Sequence, residues 1–283
     1  PARVFNVMLH PMPNSVMFWD ATVLCGYLIL NALIGWTSLE HESRHVPVPR
    51  WVKILVVVSI FWAFSIHTVT AFLYAGLPGR HYWLSAIMAA RFLASAFCAG
   101  PSILLLGLLL IKRFAGFDPG KAVVKSLSIT IAYAMGLNMF FYCLELFTAF
   151  YSGIPSHGDP IIFLFCGHEG LSVWVTGWMW AAVVLAFVSI FFLAIPKFRA
   201  NMKILPWALV MLIIATWIDK GLGLLIGGFS PTPYETYEVY TPTFWEVSVG
   251  LGVFAIGALV ISILWKIALE MKKEGGEPFE LSE

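Results

Sequence analysis

Asp20, His67, Arg91, Glu145, Asp219, Lys220 and Glu246 lie inside stretches of sequence that are otherwise apolar. An ionisable side chain at the centre of a bilayer costs about 2.5–3.5 kcal/mol on insertion scales, so such residues face a protein interior or a wet cavity and are functional candidates by default. Alternating topology brings all of them, from six different apolar stretches, toward one face of the membrane. That clustering predicts a single polar site near that face.

The residue types suit quinone chemistry. A quinone is an apolar ring with two carbonyl oxygens and needs an apolar slot with one or two hydrogen-bond donors. Its reduction takes up two protons and its oxidation releases them, so a carboxylate or histidine must relay protons to water. His67, with Thr68 beside it, can bond a quinone oxygen, and Asp20, Glu145 or Asp219 can exchange protons with the outside. Arg91 would keep a neighbouring carboxylate ionised or stabilise a semiquinone. The structural alternative is that Arg91 and Lys220 pair with Asp219, Asp20 or Glu145 inside the bundle. Asp219 and Lys220 are adjacent and should point to different faces of a helix, each with its own partner.

Other chemistries fit poorly. A bis-histidine haem needs two facing intramembrane histidines. Only His67 qualifies, because His10, His41, His45, His81, His157 and His168 fall at segment ends or in loops. Cys25, Cys98, Cys143 and Cys166 are scattered without a CxxC, which argues against an iron–sulfur cluster held by this chain alone. His168-Glu169 lacks the second histidine of a helical HExxH zinc site.

The elements that must position these residues follow from composition. The 283 residues are 60% hydrophobic and 12% charged, with mean hydropathy +0.85. No soluble core hides that much apolar surface. A net charge of +1, with no dense basic run, argues against nucleic acid as a partner. Seven stretches are long enough to cross a bilayer, near 17–36, 52–76, 83–111, 122–151, 169–195, 204–227 and 244–268. The ten-residue alternation of a barrel is absent, so the expected fold is all-α, one polytopic transmembrane helical bundle over 1–283. Gly100–Pro101 should kink the third helix.

Positive charge sets the orientation. Arg44, Arg50, Lys53, Lys112, Arg113, Lys121, Lys125, Lys197, Arg199, Lys203, Lys266, Lys272 and Lys273 gather on one side. The opposite loops carry only Arg3 and Arg80. This predicts a multi-pass protein of the cytoplasmic membrane with a cytoplasmic tail at 269–283 and the start of the chain outside. The chain begins at Pro1, without an initiator methionine or a signal-peptide pattern, as expected if helices precede it in a longer polypeptide. On that orientation the charged cluster is extracytoplasmic. Helical rise places His67 and Arg91 on the order of 12–14 Å deep, Glu145 about 9 Å deep and Asn138 near mid-membrane. The outer stretches 152–168 and 228–243 contain no lysine or arginine; the second is rich in tyrosine and proline. They read as loops and as a candidate docking surface.

Four stretches in order resemble a known family. They are His10-Pro-Met-Pro-Asn-Ser with Phe18-Trp19-Asp20; Ser65-Ile66-His67-Thr68; Phe92 to Pro101; and Trp217-Ile218-Asp219-Lys220-Gly221, followed by Gly228-Phe229-Ser230-Pro231. The chain resembles the NrfD/PsrC family of polysulfide-reductase membrane subunits, most of all the HmcC/DsrP branch of sulfate-reducer transmembrane electron-transfer complexes. That resemblance implies a subunit of about ten helices, of which these seven are the later ones. It implies no haem or iron–sulfur cluster in the chain itself and a menaquinone substrate bound near the outer face. It also implies partners: a ferredoxin-like iron–sulfur subunit on the extracytoplasmic face, further membrane and cytochrome subunits, and lipid. Sulfur- or sulfite-linked anaerobic respiration is the expected setting. His67 and Asp20 match family motif positions, whereas Asp219 stands where a glutamate is expected. The competing reading is a secondary transporter or permease with a buried charged substrate cavity. Such sites usually sit at the midplane between repeats, and no clear repeat is visible here.

Overall fold

The computed structural model describes residues 5–116, 118–168, 174–238 and 240–274. It is all-α, and seven helices among the described residues are long and apolar enough to cross a membrane. In chain order the elements are α1 (Asn6–Leu9), α2 (Val16–Ser43), α3 (Arg50–Ala75), a 3₁₀ turn (His81–Trp83), α4 (Met88–Ala115) and α5 (Lys121–Tyr151). They continue with α6 (Pro155–Cys166), α7 (Trp174–Ala194), α8 (Pro196–Arg199), α9 (Leu205–Trp217), a π-helical turn (Ile218–Gly223), α10 (Leu224–Phe229) and α11 (Phe244–Glu274). α9, the π turn and α10 form one continuous span.

The chain divides into two compact units, Pro1–Val69 with Tyr240–Glu280, and Thr70–Val239 with Leu281–Glu283. The second unit holds a four-helix bundle in which α4 packs on α5 and α9, and α7 packs on α5 and α9. Its packing is visible in the spacing of the buried residues. On α5, Val124, Ser128, Ile131, Met135, Asn138, Glu145 and Ala149 are buried, and on α7 Val175, Met179, Ala182, Ala186, Ser189 and Leu193. Steps of three and four residues keep one stripe of each helix turned inward. Many members are small, which lets backbones approach where lipid supplies no hydrophobic drive between helices. Leu105, Ile131, Leu193, Leu209 and Leu212 fill the centre. Lys112 and Arg113 in the last turn of α4, with Gly116 left-handed at φ 73°, end that helix.

The first unit is built from α2, the first part of α3, and α11, with α11 against α2. The Trp62 indole N–H donates to the Val23 carbonyl at 2.9 Å and ties α3 to α2. Gly26 makes room for it, because a Cβ there would stand 2.5 Å from the Trp62 ring. α11 has no buried residue in its apolar window, as suits a helix surrounded by lipid.

Two expectations need correction. Residues 152–168, read as a loop, contain α6. Pro155 starts it at the first turn, where a missing N–H costs nothing, and Ile161, Phe163 and Leu164 are buried. The third span begins at Met88, with a separate 3₁₀ turn before it at His81–Trp83. Of the span expected at 169–195, residues 169–173 lie outside the described residues, as do 275–283 of the expected tail.

Candidate functional site

Arg91 sits in the first turn of α4, only 2% exposed. Its Nη2 donates to both carboxylate oxygens of Asp219, at 3.1 and 3.0 Å. Its Nη1 forms an ion pair with Glu145 Oε2, and the guanidinium lies 5.2 Å from the centroid of the Tyr142 ring. Lys220 Nζ stands 3.7 Å from Asp219 Oδ2 and 5.0 Å from the Phe92 ring centroid. Two cations thus face two carboxylates and the group is neutral as a whole. Neutrality is what burial demands, since several kcal/mol of desolvation per ion must be offset by partners.

Local sequence explains the assembly. Glu145 falls on the inward stripe of α5 together with Asn138. Arg91 is on α4 near the end where α5 finishes, so the two meet. Asp219 and Lys220 lie in the π turn, a rare element that tends to occur at functional sites. Within this turn Lys220 Nζ reaches Asp219 Oδ2 at 3.7 Å, whereas separate partners on different faces were expected.

The 3₁₀ turn closes this end of the bundle. The Trp83 indole N–H donates to the Leu224 carbonyl at 2.8 Å, and its ring packs against Tyr74 and Phe229. At Gly228 any Cβ would collide with that indole. Arg80 donates to the Phe229 carbonyl at 3.0 Å at the C-terminus of α10, where a cation is favoured. Burial pushes the Tyr82 phenol well above its ordinary range, with the Arg91 guanidinium pulling the other way, so Tyr82 is neutral beside the ion group.

A partly open cavity adjoins Asp219 between α5, α7 and α9, with Asn138, Tyr142, Met179 and Thr216 among its walls. Its atom-free space is about 420 Å³, open mouth included.

The structure therefore brings together Arg91, Glu145 and Asp219, in the pairing that the structural alternative described. Asp20, His67 and Thr68 belong to the other unit. Asp20 lies in the second turn of α2 and His67 on α3, both half-buried. Thr68 spends its hydroxyl proton on the Phe64 carbonyl at 2.9 Å, leaving lone pairs to accept. Glu246 bonds Thr243 at the start of α11, with its carboxylate 2.7 Å from the Thr243 amide. Sequence reasoning overlooked Tyr82, Trp83 and Tyr142. Gly221 and Gly223, two glycines in one apolar span right after Asp219-Lys220, were the available sign of an irregular turn. Among the described residues no group of three or more His, Cys, Asp or Glu is placed to hold a metal ion. Glu169 lies outside the described residues.

A polytopic helical bundle that buries a neutral group of four charges at one end defines an integral membrane protein with a polar site within its spans. The chain belongs to the NrfD family of polysulphide reductase subunits, whose family model matches residues 1–205. Over 92% of its length it is 25% identical to a Halobacterium salinarum protein named, provisionally, as a membrane subunit of dimethyl sulfoxide reductase, of which 67% is covered. It is 21% identical to a selenate reductase subunit of Mesobacillus selenatarsenatis, over 97% of this chain and 72% of that protein. With the Hdr-like menaquinol oxidoreductase integral membrane subunit of Archaeoglobus fulgidus it shares 20% identity, over 91% of this chain and 66% of the relative. The chain thus spans about two thirds of the length of these relatives.

Proposed function

We propose that this chain is a quinone- or quinol-interacting membrane subunit of a multi-subunit respiratory oxidoreductase. It does not turn over substrate alone. It links the menaquinone pool to a partner iron–sulfur subunit near the outer face, in sulfur- or sulfite-linked anaerobic respiration of the kind served by the HmcC/DsrP branch. The observation that carries this reading is the neutral Arg91–Glu145–Asp219–Lys220 group beside a cavity inside the membrane spans. Family membership and three relatives named as subunits of reductases or of a menaquinol oxidoreductase point the same way.

The residues present fit a quinone. Walls are apolar, polar atoms are few, and carboxylates lie within the spans rather than in loops. A bound quinol supplies two electrons and two protons on oxidation, and a quinone takes up the same on reduction. His67, in the other unit and not among the residues that line this cavity, holds a ring oxygen and exchanges a proton with it. Asp20 passes that proton to the aqueous side, and Thr68 supplies lone pairs to a ring hydroxyl. Arg91 holds Asp219 and Glu145 in place through its two ion pairs. Electrons must leave through a redox centre on another subunit, docked at the aromatic stretch 228–243 and the surface of α6. The charge asymmetry supports a cytoplasmic C-terminus and a docking surface on the outside.

Menaquinol-linked turnover of the assembled complex tests the reading. His67→Ala and Asp20→Asn should each abolish turnover while the complex still assembles. Normal quinol turnover in both variants overturns the assignment of these residues.

A further inference from the structure

We propose that His81 and His157 form a two-histidine site for an imidazole-seeking divalent metal ion such as Zn²⁺, which on binding joins α6 to the 3₁₀ turn. The proposal is independent of the quinone reading, since neither residue belongs to the ion group or lines the cavity beside it.

The two rings come from separate elements of the same unit. His81 opens the 3₁₀ turn and is exposed, and His157 lies in the first turn of α6 and is half-buried, so water reaches the pair. Their ring centroids are 6.2 Å apart, with the planes inclined at 55°. A zinc–nitrogen bond of about 2.0–2.1 Å puts each centroid about 3.2 Å from the ion. Two such ligands then hold their centroids about 5.2 Å apart at a tetrahedral angle and about 6.4 Å apart in line. The observed separation falls inside that range, and closing it to the tetrahedral value takes a small side-chain rotation.

Both backbones are held in place. Trp83, two residues after His81, is buried and anchored to the Leu224 carbonyl, and its amide bonds the Arg80 carbonyl at 3.0 Å across the turn. On the other side Pro155 starts α6, the His157 amide bonds the Ile154 carbonyl at 3.1 Å, and Gly158 is buried facing the Phe150 ring of α5. Ligands on fixed elements have little freedom left to lose on binding. Among the described residues neither imidazole makes a hydrogen bond or an ion pair, so each keeps a ring-nitrogen lone pair for a metal. The surroundings suit a cation. Residues 152–168 include no lysine or arginine and carry Asp159 two residues after His157. Arg80 turns its guanidinium to the Phe229 carbonyl and ring. Imidazole suits Zn²⁺, Cu²⁺ and Ni²⁺, whereas Mg²⁺ and Ca²⁺ want oxygen ligands. Water completes the coordination of an ion held by two side chains.

Equilibrium dialysis of the detergent-purified protein, without a polyhistidine tag, against Zn²⁺ tests the site. Binding should saturate at one Zn²⁺ per chain. His81→Ala and His157→Ala should each weaken it about tenfold or more, because losing one ligand removes the second, intramolecular bond. His10→Ala, a histidine of the other unit, should leave it unchanged. With Cu²⁺ as the probe, the electron paramagnetic resonance spectrum should show coupling to two imidazole nitrogens in the wild type and to one in either variant. Saturating Zn²⁺ should raise the melting temperature of the wild type and not that of His81→Ala. His81 is exposed, so His81→Ala decides alone if His157→Ala does not fold. Equal Zn²⁺ affinity in wild type and His81→Ala overturns the site, as does a Cu²⁺ spectrum unchanged by that substitution. A lack of saturable binding in the wild type overturns it as well.

Discussion

Replacing Arg91 by methionine removes the cation that both carboxylates share. In the native group Arg91 and Lys220 balance Glu145 and Asp219, with side-chain exposures of 3%, 17%, 10% and 17%. Arg91→Met leaves one excess negative charge at that depth, and Lys220, 3.7 Å from Asp219, does not replace the ion pair with Glu145. Breaking a buried pair from one side costs roughly 3–5 kcal/mol. For a unit of this size that is a fall in melting temperature on the order of 10 °C. The double variant Arg91→Met with Glu145→Leu restores neutrality through Lys220 and Asp219, and apolar replacement of both partners in a buried pair is often nearly neutral. Its melting temperature should therefore recover most of the loss. Thermal unfolding of the detergent-purified protein, followed by size-exclusion fluorescence, measures both. A single variant that melts like the wild type would refute the claim that Arg91 compensates buried charge. A double variant no better than the single would refute the pairing with Glu145.

Further outcomes follow from the same geometry. Gly228→Ala places a methyl inside the Trp83 indole and should destabilise the protein by about 1–3 kcal/mol, with Trp83→Phe partly relieving it, as read by the same melting assay. Deleting Leu222 should convert the π turn to regular helix and rotate Asp219 away from Arg91, abolishing menaquinol-linked turnover while the protein still inserts; retained turnover would show that the π turn is dispensable. In a background without the four native cysteines, Lys203→Cys should be labelled by an impermeant maleimide only from the cytoplasmic side and Thr241→Cys only from outside. The reverse pattern would invert the topology and move the docking surface with it.

Spans were legible because they rest on repetition along the chain. Seven apolar stretches of bilayer length give seven spanning helices, whereas the three-and-four stripe of α5 that carries Asn138 and Glu145 emerged with the structure. That Arg91, Glu145 and Asp219 share one end also followed from counting residues to the segment ends. The pairing did not, because each residue had several eligible partners at similar depth and only packing selects among them. The π turn was hidden for a related reason. Regular helical steps put Asp219 and Lys220 on different faces, whereas in the π turn their charged ends stand 3.7 Å apart. α6 was read as a loop because its Gly158, Pro155 and Pro160 outweighed the buried Ile161, Phe163 and Leu164. Trp83 and Tyr82 acquire their roles only through contacts with α10 and α4, far away in sequence.

Stopped-flow reduction of the partner iron–sulfur centre by menadiol tests the central claim most directly. The intact complex should show rapid bleaching of the cluster absorbance. The bleaching should be lost when this chain is omitted and lost again in the assembled His67→Ala variant. Equal bleaching rates with and without this chain would contradict its place between quinol and cluster.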